Sequence, residues 1–172
     1  MKKGKNNFIV DVFIEISMGS NIKYEYDEKK NRLVVDRFLH TSMHYPFNYG
    51  FVPKTLSEDN DPTDILILTL GEILPGTFVP CRIVGMLETE DERGRDIKLV
   101  GVPADWVDPE ASRIQNLLDL TPATKERISH FFEYYKSLEK GKWVKVREWY
   151  GKDDAYKYLE KCYRCYKNHK KR

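Results

Sequence analysis

Asp59-Asn60-Asp61-Pro62-Thr63-Asp64, running straight into Ile65-Leu66-Ile67-Leu68, is the stretch on which the rest of this 172-residue chain is organised. A second acidic run, Asp91-Glu92-Arg93-Gly94-Arg95-Asp96, likewise leads into apolar sequence, Ile97-Lys98-Leu99-Val100. Six carboxylates in two short segments, each opening a strand-like run, predict two loops at neighbouring strand ends that aim their acids at one point. Two bare carboxylates about 5 Å apart repel by about 3 kcal/mol at an effective dielectric of about 20. Such a cluster must protonate, splay apart or bind cations, and oxygen-only ligands favour hard ions such as Mg2+, Mn2+ or Ca2+. An EF-hand starting at Asp59 is excluded, because its glycine and closing glutamate positions are taken by Asp64 and Leu70.

Outward from this centre the pattern is mostly β. Residues 8–16 are rich in Val, Ile and Phe and read as a strand ending near Glu15. Residues 22–26 alternate apolar and charged side chains, and a turn separates them from residues 32–38, which predicts a hairpin. Period-two geometry sets Lys23 and Glu25 on one face of it. Tyr45-Pro46-Phe47-Asn48-Tyr49-Gly50-Phe51-Val52-Pro53 is aromatic and bracketed by prolines, so it is expected to form an ordered loop wall. Residues 65–68, 77–87 and 97–102 read as further strands, with Gly85 at a bulge. Only short turns are expected between 105 and 120.

Thr121-Pro122 is an N-cap followed by proline at the first helical position, and Gly141 closes the far end. Between them Ile128, Phe131, Phe132, Tyr135 and Leu138 recur at three and four residues, predicting an amphipathic helix over 122–139 with Lys136 at its edge. A strand over 143–147 and a C-terminal helix capped by Asp153 complete the chain. The strands together fit a small closed or partly closed barrel. No repeat or domain boundary is visible, so residues 1–172 are expected to form a single domain.

A chain that is 41% hydrophobic and 33% charged is globular. The net charge of +2 hides an asymmetry: the last six residues carry four Lys/Arg, leaving a slightly acidic body. That balance argues against a nucleic-acid binder, whose footprint is a basic face. The basic tail, 167–172, is expected to fray into solvent. Three cysteines, Cys81, Cys162 and Cys165, form no disulfide scaffold and fit a reducing, cytoplasmic setting. Cys162, Cys165 and His169 lack a fourth zinc ligand nearby. No targeting segment or membrane span is seen.

The basic and hydroxyl groups Lys23, Arg37, Tyr49, Lys98, Tyr135 and Lys136 are available to surround the acids. Metals with Lys and Arg are what phosphoryl chemistry requires, because the substrate oxygens are anionic. Residue types alone leave open a structural metal protein without turnover, or a nucleic-acid-binding OB module. His40 and His44 read as structural.

Glu15, Lys23-Tyr24-Glu25, Asp36-Arg37, Tyr45-Pro46-x-Asn48-Tyr49-Gly50, Asp59-x-Asp61-Pro62-x-Asp64, Asp91-Glu92-x-x-x-Asp96-x-Lys98 and Phe131-Phe132-Glu133-x-Tyr135-Lys136 fall in unbroken order. Together they resemble the signature of the soluble family I inorganic pyrophosphatases. Lys140-Gly141-Lys142-Trp143-Val144-Lys145-Val146 is similar to the bacterial branch in particular. The resemblance implies a mainly β, α+β fold, a five-stranded OB-type barrel with peripheral α-helices. It also implies Mg2+ dependence, with Mn2+ or other divalent ions as substitutes, a cytoplasmic location and commonly a homohexamer.

Carried over by position, the resemblance makes Asp59, Asp64 and Asp96 ligands of one activating metal, with Asp64 facing a second. Asp91 and Asp96 would hold a metal arriving with substrate, and Glu25 would contact a further one, partly through water. Arg37, Tyr135 and Lys136 would grip the leaving phosphate; Lys23, Tyr49 and Lys98 would hold the other, with Tyr45 beside them. Glu15, counted with the metal-site residues, would support their water network, and Asp61 would take the proton from water attacking pyrophosphate directly. Asn60 stands where the family usually has glycine; asparagine tolerates a left-handed backbone, so the loop shape is expected to survive. Beyond Tyr150 the resemblance assigns nothing.

Overall fold

The structure, a computed structural model, describes residues 8–171; residues 1–7 and Arg172, the last residue of the basic tail, lie outside it. Eight strands are described: β1 (Ile9–Ile16), β2 (Ile22–Asp27), β3 (Arg32–Phe38), β4 (Asn48–Val52), β5 (Thr63–Ile67), β6 (Phe78–Asp91), β7 (Gly94–Pro103) and β8 (Val144–Gly151). Two helices, α1 (Pro122–Tyr134) and α2 (Lys152–His169), lie outside the sheet, and two short 3-10 turns, Pro109–Arg113 and Leu117–Asp119, fill the stretch before α1. β1, β4, β5, β7 and β6 are neighbours in that order, and β1 pairs back onto β6. The ring is therefore closed: a five-stranded barrel of the OB type with peripheral helices, as expected. β8 extends β6 outside the ring, and β2 with β3 forms a separate hairpin.

The barrel interior is aliphatic. Val12, Ile14, Ile65, Ile67, Ile83 and Leu99 are fully buried at alternating positions of their strands, the period at which one pleat face points inward. α2 covers this core with Ala155, Tyr158, Leu159 and Cys162. α1 covers the other side with Ile128, Phe131 and Phe132, packed against Tyr45, Tyr49 and Leu66. Arg82 on β6 is buried among them; it donates to Asp105 at 2.6 Å and to the carbonyls of Ala111 and Ile114 at 3.0 and 2.9 Å. Its Nε has no partner among the described residues.

Several local expectations are corrected. Asn48–Val52 is a wholly buried barrel strand, not a loop wall; Pro46 and Pro53 bracket it without interrupting either of its ladders, to β1 and β5. The second acidic run is a two-residue turn, because Asp91 pairs with Gly94 and Asp96 with Thr89 inside the β6–β7 ladder. The Gly85 bulge is present, as a register shift between Ile83 and Gly85. α1 stops at Tyr134 instead of 139: the bonds that follow, Ser137 N–H to Tyr134 O and Glu139 N–H to Lys136 O, are tight three-residue turns. Leu138 is thereby left 67% exposed while Lys136 is buried. Asp153 lies in the first turn of α2, whose N-cap is Gly151. The tail does not fray at 167, since α2 continues to His169.

Gly50 shows how tightly β4 crosses β1. A Cβ there would sit 1.9 Å from the carbonyl oxygen of Phe13, whereas one at Gly71 would meet nothing within 4 Å. Overpacking against backbone cannot relax by rotamer change. Gly50→Ala is expected to lower stability by about 3 kcal/mol or more, and Gly71→Ala by less than about 0.5 kcal/mol, in denaturant unfolding; equal effects would refute the close crossing.

Candidate active site

At one end of the barrel the β2–β3 hairpin, the 53–62 loop, the β6–β7 turn and the segment after α1 enclose a cavity of about 740 Å³. Every site residue expected from the sequence lines it: Glu15, Lys23, Glu25, Arg37, Tyr45, Tyr49, Asp59, Asp61, Asp64, Asp91, Asp96, Lys98, Tyr135 and Lys136. Ten carboxylates face seven lysines and arginines around that wall, so the lining is anionic.

Strand register sets the centre. β5 and β7 run parallel with Ile65 opposite Leu99, which brings the preceding residues, Asp64 and Lys98, side by side. Lys98, 6% exposed, is ion-paired with Asp64 and lies 2.9 Å from Asp96. Burial opposes its charge, yet Asp64 and Asp96 outweigh that and raise its pKa well above the ordinary value. Its ammonium also stands 5.7 Å from the Tyr49 ring centre and 5.9 Å from that of Phe132. A second node is Lys136, 2.9 Å from Asp91 and 3.4 Å from Glu92, with Lys142 2.6 Å from the other Glu92 oxygen. Burial works against the Asp91 charge, and Lys136 overcomes it to hold the pKa below normal; Glu92 is lowered to about 2 because Lys142 and Lys136 likewise outweigh its desolvation.

On the hairpin Lys23 pairs with Glu25 and lies 3.5 Å from Asp36. Arg37 pairs with Asp36 and donates to Glu139 at 2.8 Å. In the 53–62 loop Asn60 has φ 69°, the left-handed conformation expected of it. That turn brings the Asp61 amide to the Asp59 carboxylate at 3.2 Å and sets both acids beside Arg93, at 3.7 and 3.6 Å. Burial, then Asp59, raises the Asp61 pKa. Tyr45 and Tyr49 are buried, and burial pushes both phenols well above their usual range; Tyr135 is raised to about 12 for the same reason. All three remain protonated donors at neutral pH.

Among the described residues no three His, Cys, Asp or Glu side chains are grouped to hold a metal ion as they stand. Asp59, Asp64 and Asp96 line one cavity without meeting at one point: Asp64 and Asp96 share the Lys98 ammonium, and Asp59 shares Arg93 with Asp61. The protein's own cations neutralise acids that would otherwise repel. The donor set nonetheless fits hard divalent ions, being all carboxylate oxygen and in excess of the side-chain cations. One cation already reaches both Asp64 and Asp96. Glu92, Arg93, Glu139 and Lys142 join the expected site residues through these ion pairs, and Glu92 and Arg93 stand inside the second acidic motif. Tyr166, His169 and Lys170 line the same cavity from the end of α2; the Tyr158-Leu159-Cys162-Tyr166 series, at helical spacing, is the only sequence signal for that placement.

An OB-type barrel whose rim carries an anionic pocket threaded with Lys, Arg and protonated tyrosines fits the class of enzymes that handle phosphate anions with metal ions better than that of nucleic-acid modules, whose grooves are basic. The family model described as inorganic pyrophosphatase matches residues 12–167. The inorganic pyrophosphatase of Sulfolobus acidocaldarius is 51% identical over 150 residues, 87% of each chain, and that of Aquifex pyrophilus 50% over 156 residues, covering 91% of this chain and 88% of the relative. The structure of the Helicobacter pylori enzyme superposes with TM-score 0.92 at 45% identity, covering 97% of this chain and 98% of that one. The Thermus thermophilus structure gives 0.90 at 43%, covering 96% and 95%. The chain belongs to the inorganic pyrophosphatase family and is an enzyme of the diphosphatase class. The family match extends past Tyr150 into α2.

Glu15 gives a pH test. Burial first, then Asp64, raises its pKa from 4.5 to about 8, although it accepts the Tyr26 amide at 2.7 Å. The folded state therefore keeps a proton that the unfolded chain has lost, and the associated stability, full below pH 4.5, is lost as pH rises through 8. In chelator, the melting temperature of the parent protein is expected to fall across that window relative to Glu15→Gln; parallel profiles would refute it.

Proposed function

We propose that this chain hydrolyses inorganic pyrophosphate to two orthophosphates, with Mg2+ or another divalent ion as cofactor, by direct attack of water. The observation that carries the reading is the alternation of carboxylates and basic groups around one cavity on parallel and antiparallel ladders. Asp59, Asp64 and Asp96 would hold one ion, Asp64 would also face a second, Asp91 and Asp96 one that accompanies substrate, and Glu25 a further one. When bound, such ions offset phosphate charge and acidify nearby water.

Asp61, paired only loosely with Arg93 and with its pKa already raised, accepts the proton of the attacking water. Lys23, Tyr49 and Lys98 bind one phosphate. Arg37, Tyr135 and Lys136 hold the other and meet the charge that develops as the bridging oxygen leaves. Tyr45, whose ring lies 5.5 Å from that of Tyr49, fixes the hydroxyl wall, and Glu15 orders the polar network behind it.

The reading includes a single domain working in the cytoplasm as a homo-oligomer, a hexamer. Among the described residues no helix is long and apolar enough to cross a membrane.

Phosphate release from pyrophosphate should require added Mg2+ and stop with chelator; absence of release in Mg2+ would overturn the reading. Asp61→Asn is expected to lower kcat by about a hundredfold or more with an unchanged circular dichroism spectrum. Near-parental turnover would remove Asp61 from its role.

A further inference from the structure

The end of α2 adds a cation to the active-site cavity that differs from all the others. Six of the seven lysines and arginines lining the cavity lie within ion-pair distance of a carboxylate. Lys170 is the exception among the described residues. It is exposed, and its ammonium sits 5.0 Å from the ring centre of Tyr166, one helical turn back. A cation held over an aromatic face keeps its full charge, whereas one paired with a carboxylate presents little net charge to an approaching anion.

The location of Lys170 is fixed by packing. α2 is buried along Ala155, Tyr158, Leu159 and Cys162. It is tied to the loop that carries Asp59 and Asp61 by the Leu56 amide on the Cys162 carbonyl at 3.1 Å and by Lys161 on Glu58 at 2.7 Å. The acidic loop and the middle of α2 are therefore anchored to each other. A lining with more acids than bases repels a polyanion at the entrance, so an uncommitted positive charge at the rim changes the rate of arrival most.

We propose that Lys170, seated on Tyr166, is a capture residue that draws the phosphoanhydride anion into the cavity before it meets the buried bases. The inference rests on the pyrophosphate reading for the identity of the substrate, though its electrostatics applies to any diphosphate. An ordinary role exists for comparison: lysines in the last turn of a helix stabilise its C-terminus. That role would alter melting temperature alone.

The test uses the full chain with Lys170→Glu and Tyr166→Leu, and Lys157→Glu as a control of equal charge change at a residue outside the cavity that pairs with Asp154. Expected for Lys170→Glu is a kcat/KM three- to tenfold lower at low ionic strength, a kcat close to parental, and a difference that vanishes at high salt. Tyr166→Leu should give a smaller loss of the same kind, and Lys157→Glu none. Association of the non-hydrolysed probe imidodiphosphate, followed by stopped flow, should slow in parallel. Unchanged association and unchanged salt dependence in Lys170→Glu would overturn the inference, as would an equal loss in Lys157→Glu. Absence of pyrophosphate turnover in the parent protein would instead overturn the functional reading and leave the imidodiphosphate arm to decide on Lys170.

Discussion

The parallel pairing of β5 with β7 is the constraint from which the site follows. It places Asp64 beside Lys98, and through Lys98 it ties Asp64 to Asp96, two residues earlier on β7. Side chains alternate along a strand, so a slip of one residue would turn Asp64 into the aliphatic interior and an isoleucine into the pocket. Closure of the ring by β1 on β6 removes the freedom to slip. The acids are thus crowded by the architecture of the barrel, and that crowding creates the demand for cations.

In this structure the demand is met internally. Lys98, Lys136, Arg93 and Lys23 each lie between acids; the Lys98 and Lys136 ammoniums are buried, whereas Arg93 meets Asp61 as an exposed bridge of the kind worth little to stability. A buried carboxylate left alone would be costly. The same lysines and arginines are the groups suited to phosphate oxygens. On the proposed function, a polyanion with its counter-ions would exchange partners with this network, taking the bases while divalent ions take the acids. The site is a set of interchangeable charge pairs held at fixed spacing by strands.

Much of this was legible in the sequence because the chemistry is local there. Asp59 to Asp64 is a turn leading into a buried strand, and Asn60 adopts the left-handed conformation its side chain allows. The strands around Ile14, Ile83 and Leu99 announce themselves by apolar runs. What was not legible depends on partners far along the chain. Asn48–Val52 looked like a loop because prolines flank it, and only its two neighbours make it a strand. Lys136 looked like a helix-edge residue, yet the early end of α1 swings it into a buried pair with Asp91 across 45 residues. The closing contact of β1 with β6 leaves no local mark at all.

Arg82 carries a different kind of consequence. Its guanidinium, inside the protein, holds Asp105 and the carbonyls of Ala111 and Ile114, and so fastens the irregular residues between β7 and α1 to the longest strand of the barrel. A stretch without regular secondary structure ordinarily opens by itself and exchanges its amide protons early. Here the stretch cannot lift away without stripping a buried guanidinium of its acceptors, which makes its separate opening costly. The first 3-10 turn and the loop before it are thereby fastened to the sheet by one side chain.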